Sequence, residues 1–297
     1  MIVNRQNLSM AYTGFKATFQ NAFDGAPVNY TQITTEVPSA TSSEEYAWLG
    51  QTTRFREWIG DRVIQAIKQH GYTIKNKTWE NTVGVPREAF EDDQYGIYTP
   101  LMAQLGQDSR EHPDELVFAL MKQGETEECY DGQPFFDTDH PVLAADGSET
   151  SVSNLTDGAE TEWYLLDTSR AIRPFIYQNR KPYNFVMKDS EQDDNVFLKK
   201  EFLYGVDGRS NVGFGLWQLA HKAKVALTAD NFNSVYAAMK SMKGDNGRPL
   251  NIRPNLLVVP PSLRAQALEV VKAERAANGA TNINRDVVDV LDTSWLA

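Results

Sequence analysis

The sequence predicts an α+β fold, and three patterns carry that prediction. Apolar residues recur at helical spacing in the first 25 residues and again from Tyr98 to Met121. Two long runs, Trp163–Val186 and Val196–Trp217, alternate aromatic and β-branched residues as antiparallel strands do, with the acidic stretch Asp189–Asp194 as the turn between them. From Thr228 onward, helical and strand signals alternate. A chain of 297 residues is long enough for about two domains and buries most of its extended surface without staples.

In chain order, Leu8, Tyr12, Phe15, Phe19 and Phe23 form one apolar face of a helix, which Gly25-Ala26-Pro27 stops. Tyr30–Val37 reads as a strand and 38–43 as a polar loop. A lone helix and a lone strand cannot hold themselves together in water, so residues 1–45 read as an arm that lies on its own body or on a neighbouring chain. Within 46–93, Tyr72–Trp79 and Asn81–Val85 read as a hairpin with no clean apolar face. Such a ribbon is marginal alone, which predicts a partner on another molecule. Trp48, Phe55, Trp58 and Trp79 lie among Arg54, Arg56, Arg62, Lys68, Lys75 and Lys77, and Trp58 and Trp79 read as interface anchors. The expectation is that arm and ribbon are completed only on sister copies.

A long helix follows, with a kink or break near Gly106 and Pro113, and Gly124 as its C-cap. His112-Pro113-Asp114-Glu115 reads as a helix entrance and Asp131–Gly158 as loop. Thr228 caps a helix with Phe232, Val235, Tyr236 and Met239 on one face. Leu256–Val259 is a buried strand, Pro260-Pro261-Ser262 opens another helix through Ala276, and Val287–Leu291 is a last strand.

Composition narrows the function. With 29 basic and 40 acidic residues the formal net charge is −11, which argues against wrapping nucleic acid by charge alone. The single cysteine, Cys129, excludes an internal disulfide and any cysteine-cluster zinc site, and fits a reducing compartment. No signal peptide and no membrane-length apolar run is apparent, which predicts a soluble intracellular protein with no membrane partner. Phosphate-loop, nucleophile-elbow and H-E-x-x-H patterns are missing. Gly213-Phe214-Gly215 reads as close backbone packing. The best enzyme-like group is Asp137, Asp139 and His140, two carboxylates beside an imidazole that suit a metal-dependent hydrolase. The competing reading, turn hydrogen bonding ahead of Pro141, is preferred. The acidic neighbours of Cys129 raise a thiol pKa and argue against a reactive nucleophile. No catalytic, cofactor-binding or metal residue is assigned.

A series of spaced blocks then becomes informative: YAWLG at 46–50, EWIGDR at 57–62, YTIKNKTWE at 72–80, FEDD at 90–93 and GIY at 96–98. CYDGQPFFD at 129–137, HPV at 140–142, YLLD at 164–167 and RPFI at 173–176 continue it. Together they resemble the major head subunits of phage Mu and Mu-like prophages over nearly the whole chain, from Met1 to Val258-Val259-Pro260 and beyond. The resemblance implies a Hong Kong 97-type capsid fold: an N-terminal arm (1–45), an E-loop region (46–93), a peripheral or P-domain (94–227) with a spine helix at 94–123 and long strands, and an axial or A-domain (228–297). In many such shells the long P-domain strands follow the A-domain; here they precede it.

The same resemblance implies self-assembly into hexamers and pentamers of an icosahedral shell around double-stranded DNA. It implies scaffold, maturation protease and portal proteins as partners, and a place in the virion after a period in the host cytoplasm. No spare N-terminal segment is evident to serve as an internal scaffold. Phe15, Phe19, Trp58, Arg62, Lys75, Lys77 and Trp79 are the expected inter-subunit contacts. An encapsulin-like cellular shell of the same fold is the alternative to a phage head.

Overall fold

In the computed structural model, which describes residues 3–47, 49, 71–144, 146, 148–190, 192–276 and 279–297, the Asn4 side chain opens helix α1 (Arg5–Gly25) by accepting the Asn7 N–H at 2.9 Å. Helix α2 (Tyr30–Ile33) and strand β1 (Thr34–Pro38) follow. The expected strand over 30–37 is therefore half helix. The Asp114 carboxylate accepts the N–H groups of Asn29 and Tyr30 and seeds a turn there.

Strands β2 (Ser43–Glu45) and β3 (Thr73–Lys75) pair antiparallel. Next come β4 (Lys77–Pro86), the short helix α3 (Arg87–Glu91) and the long helix α4 (Thr99–Lys122). Helix α4 runs through Pro113 without an assigned break, because Leu105, Val117 and Met121 on either side are buried and packing holds the chain helical. His112–Glu115 is thus mid-helix, not an entrance. The helix ends at Lys122 in a tight turn over Gln123–Glu125.

The supposed loop after it contains the hairpin β5 (His140–Leu143) and β6 (Glu149–Val152), then β7 (Leu155–Thr156) and β8 (Trp163–Leu166). Strand β9 (Phe175–Lys188), helix α5 (Asp194–Lys199), β10 (Glu201–Phe214) and β11 (Ala220–Ala223) follow. The chain ends with α6 (Ala229–Ser241), the small hairpin β12 (Lys243–Gly244) and β13 (Arg248–Pro249), β14 (Leu256–Val259), α7 (Arg264–Val271) and β15 (Asp289–Asp292). Thr228 caps α6 by accepting the Asn231 N–H.

Two sheets organise these elements. The first has the order β1-β9-β10-β4, with β9 and β10 as the long antiparallel pair. The second has the order β15-β14-β8-β11-β7. The run Trp163–Val186 is therefore two strands in two sheets, joined by residues 167–174. All four residues of β8 are buried, as suits a central strand covered on both faces. The sheets do not divide the chain at 227/228: β7, β8 and β11 join β14 and β15.

The expected free ribbon is absent over 72–85. Strand β3 pairs with β2, and β4 pairs with β10 over ten residues, Lys77–Pro86 against Glu201–Ser210. Strand β4 is the outer member of its sheet, so one edge meets solvent and neither face reads as dry in sequence.

The arm is also housed within the chain. Leu8, Phe15 and Phe19 join a core with Phe90, Leu105, Phe185, Phe202 and Tyr204. The Phe15 ring meets Tyr204 edge-on at 5.1 Å, and Phe19 lies 5.1 Å from Phe185. Each buried phenylalanine contributes roughly 2–3 kcal/mol. The larger core lies with the second sheet and includes Trp163, Trp217, Phe175 and Phe135, whose ring stacks on Phe214 at 4.3 Å. A Cβ at Gly213 would strike Ile74 and one at Gly215 the Arg173 carbonyl, so that pair serves close packing as the sequence suggested. Among the described residues no helix is long and apolar enough to cross a membrane.

Candidate assembly surfaces

Two expected contacts, Phe15 and Phe19, are each 3% exposed and pack against this chain's own residues. The helical stripe was legible in sequence; which surface covers it was not. Trp58 and Arg62 lie outside the described residues. Lys75 and Lys77 are exposed on β3 and β4. Trp79 is half-buried: its Nε1–H donates to the Ser210 carbonyl at 3.1 Å, and its ring meets His112 edge-on at 4.6 Å. The Lys77 Nζ stands 6.0 Å from that ring's centre.

Trp79 and His112 belong to an open groove of about 310 Å³ where α4 crosses β4. Its wall carries Glu80, Asp108 and Glu115, and Tyr183 closes it through a 2.5 Å hydrogen bond between its hydroxyl and His112 Nδ1. Burial holds the His112 pKa below its usual value, against the nearby Glu115 charge. The groove is acidic and aromatic, which suits a cationic, aromatic-bearing segment.

A second surface stands at the far end of the long strands. Phe197 and Leu198 on α5 are 82% and 74% exposed, and Val186 and Met187 near the end of β9 are exposed as well. Burying such side chains is the ordinary source of interface free energy, and leaving two adjacent ones in water is unfavourable in a soluble monomer. Asp193 and Asp194 before them, and Lys199 and Lys200 after, place both signs of charge at the rim. Lys200 adopts a left-handed backbone (φ 54°), closes α5, and pairs with Glu88 at 3.6 Å. Sequence reasoning passed over this tip because Asp189–Asp194 signalled only a turn.

The charged groups that join α4 to the second sheet are internal. Lys222, 2% exposed, contacts Glu125 at 2.7 Å and Glu162, while Lys224 bridges Glu125 and Asp157, each at 2.8 Å. Burial raises the Glu125 pKa, but hydrogen bonds from both lysines outweigh it and leave the carboxyl below its usual range.

His221 beside them accepts or donates one bond, to Thr156 Oγ1 at 2.8 Å, and burial pushes its pKa down from 6.5 to about 4. The unfolded chain binds this proton near pH 6.5 and the folded chain near 4. Stability is therefore full above pH 6.5 and falls by ~3 kcal/mol as pH drops to 4. Urea unfolding at pH 7 and 4.5 should show this loss in the wild type and a smaller one in His221→Gln.

The enzyme-like group does not assemble. Asp137 Oδ1 accepts the Thr138 N–H, the Asp137 N–H donates to Asn154, and Asp139 is exposed. His140 is fully buried and turns to Asp131, with Nδ1 2.8 Å from Oδ2. Burial and then Asp131 push the Cys129 thiol pKa up, which argues against a free reactive nucleophile.

Comparisons with known proteins agree on one family. The family model described as Mu-like prophage major head subunit gpT matches residues 8–296. The chain is 46% identical over 282 residues to the Mu-like prophage FluMu major head subunit of Haemophilus influenzae, covering 93% of this chain and 92% of that one. It is 40% identical over 293 residues to the major capsid protein of Escherichia phage Mu, covering 97% and 96%. Among solved structures, the procapsid of bacteriophage JBD30 superposes with a TM-score of 0.88 at 51% identity over 99% of this chain and all of that one. The JBD30 capsid gives 0.81 at 39% over the full length of both.

Proposed function

We infer from membership of the Mu-like prophage major head subunit gpT family, to which this chain belongs, how its surfaces build a phage head. The chain is a major capsid protein of a Mu-like phage, a component of the virion that assembles into a multimeric shell. The full-length match to capsid subunits in both sequence and structure carries this reading. Neither alternative finds support: His140 pairs with Asp131 instead of Asp137 or Asp139, and the matched relatives are head proteins of phages and prophages.

In the proposed assembly the chain forms hexamers and pentamers of an icosahedral shell that encloses double-stranded DNA. The first sheet with α1 and α4 acts as the P-domain and α4 as its spine. The second sheet with α6 and α7 acts as the A-domain around capsomer axes. The 46–93 region acts as the E-loop, with Trp58 and Arg62 among its contacts to a neighbour, for which the acidic groove beside Trp79 offers a cationic and aromatic match. Lys75 and Lys77 line the base of that segment. The exposed tip at Phe197 and Leu198 supplies apolar area. Subunits wait in the host cytoplasm, and scaffold, maturation protease and portal proteins take part in assembly. The physical work is repeated burial of modest interfaces, with head-to-tail contacts that close into rings. Nothing in it calls for a catalytic group.

Co-expression with a scaffold protein, followed by electron microscopy, should yield closed icosahedral particles with six-fold and five-fold capsomers. The Trp58→Ala, Arg62→Ala double variant should yield folded subunits and few particles. Recovery of wild-type particle numbers from that variant refutes the role given to this segment.

A further inference from the structure

Cys129 and Asp131 flank a tight turn closed by Gly132, whose φ of 84° suits glycine. The Gly132 N–H donates to the Cys129 carbonyl (3.2 Å), the Cys129 N–H to the Gln133 carbonyl (2.8 Å), and the Gln133 N–H to Asp131 Oδ1 (3.1 Å). This turn brings the thiol and the carboxylate to His140, the first residue of β5, so that ligand atoms from all three lie within 4.8 Å of one another. The His140 ring is fully buried and stacked on Trp217 at 3.9 Å and 6°, which fixes its direction. Its Nε2 finds no hydrogen-bond partner among the described residues, so Nδ1, facing Asp131, is the one ring atom with a polar contact.

We propose that Cys129 Sγ, the Asp131 carboxylate and His140 Nδ1 bind one thiophilic divalent cation of the zinc class. The mixed sulfur, nitrogen and oxygen donors suit that class and not magnesium or calcium, which take oxygen ligands. The donors already converge: the Cys129 thiol donates to Asp131 Oδ1 at 3.1 Å, and His140 Nδ1 stands 2.8 Å from Oδ2. Binding releases the thiol proton to solvent and moves the Nδ1 proton to Nε2. The bound ion ties the turn after α4 to the β5–β6 hairpin, a staple in a chain whose single cysteine forbids an internal disulfide.

A hydrogen-bonded trio without metal is the alternative, and metal content separates the two. Full-length subunits purified from zinc-supplemented cells should carry one zinc per chain by elemental analysis. Zinc-free subunits titrated with Co²⁺ should take up one equivalent and show a thiolate-to-cobalt charge-transfer band. Zinc should raise the melting midpoint. Cys129→Ser should lose the band and the zinc-dependent shift, and Asp131→Asn should bind at least about tenfold more weakly. Folded wild-type subunits that hold no zinc and give no band on Co²⁺ addition overturn the proposal. So does a Cys129→Ser variant that retains zinc as tightly as the wild type.

Discussion

Replacing Phe197 and Leu198 together by aspartate is expected to leave a folded, soluble subunit that no longer joins shells. Both side chains lie mostly in water on α5, so their loss removes little from either core. Exposed substitutions of this kind change folding stability by about 0.5 kcal/mol or less. At a contact the balance differs. Burying a phenylalanine and a leucine contributes roughly 1.5–3 kcal/mol each. Two carboxylates in their place must be desolvated, and they add repulsion beside Asp193 and Asp194. The swing is several kcal/mol at every repeat of the contact. Thermal unfolding should be unchanged, and sedimentation should show subunits or small oligomers where the wild type gives particles. Shells at wild-type yield contradict the use of this tip.

The second large effect lies where α1 crosses α4. A Cβ at Gly106 would collide with the carbonyl of Phe19 and crowd the Phe23 nitrogen, all backbone atoms that cannot swing aside. Gly106→Leu should therefore lift the arm and expose Phe15 and Phe19, at a cost of about 4–6 kcal/mol from those two rings. Gly14, on α1 itself, meets nothing within 4 Å. Gly14→Ala should be neutral or stabilising by up to ~1 kcal/mol through helix propensity. Chemical denaturation should thus show a large loss in Gly106→Leu and none, or a gain, in Gly14→Ala. Equal loss in both contradicts the close crossing.

These residues also show what sequence could and could not reveal. The stripe from Leu8 to Phe23, the Thr228 cap and the strand Leu256–Val259 depend on local periodicity and capping, and each is where the pattern placed it. Sheet membership depends on partners far away in sequence. Trp163–Leu166 and Phe175–Lys188 look alike as apolar strands, yet they enter different sheets. Strand β4 resembles a free ribbon because an edge strand half covered by α4 shows no dry face. Gly106 read as a helix interruption, but it is the point where two helix backbones meet. Asp114 read as a helix entrance, but it reaches back 84 residues to hold the Tyr30 N–H at 2.6 Å. The Cys129, Asp131 and His140 cluster was hidden for the same reason: His140 suggested its sequence neighbours Asp137 and Asp139, while the turn at Gly132 presents Asp131. The expectation that arm and ribbon wait for sister copies gives way, among the described residues, to a subunit that packs α1 and β4 on its own body and leaves Phe197 and Leu198 exposed.

Hydrogen–deuterium exchange on unassembled subunits and on assembled shells tests that division of labour most directly. Amides of α1 and β4 should exchange slowly in the free subunit and change little on assembly, while the α5 tip should gain protection only in shells. Rapid exchange of α1 in the free subunit, with protection appearing only in particles, would show that the arm belongs to a neighbour.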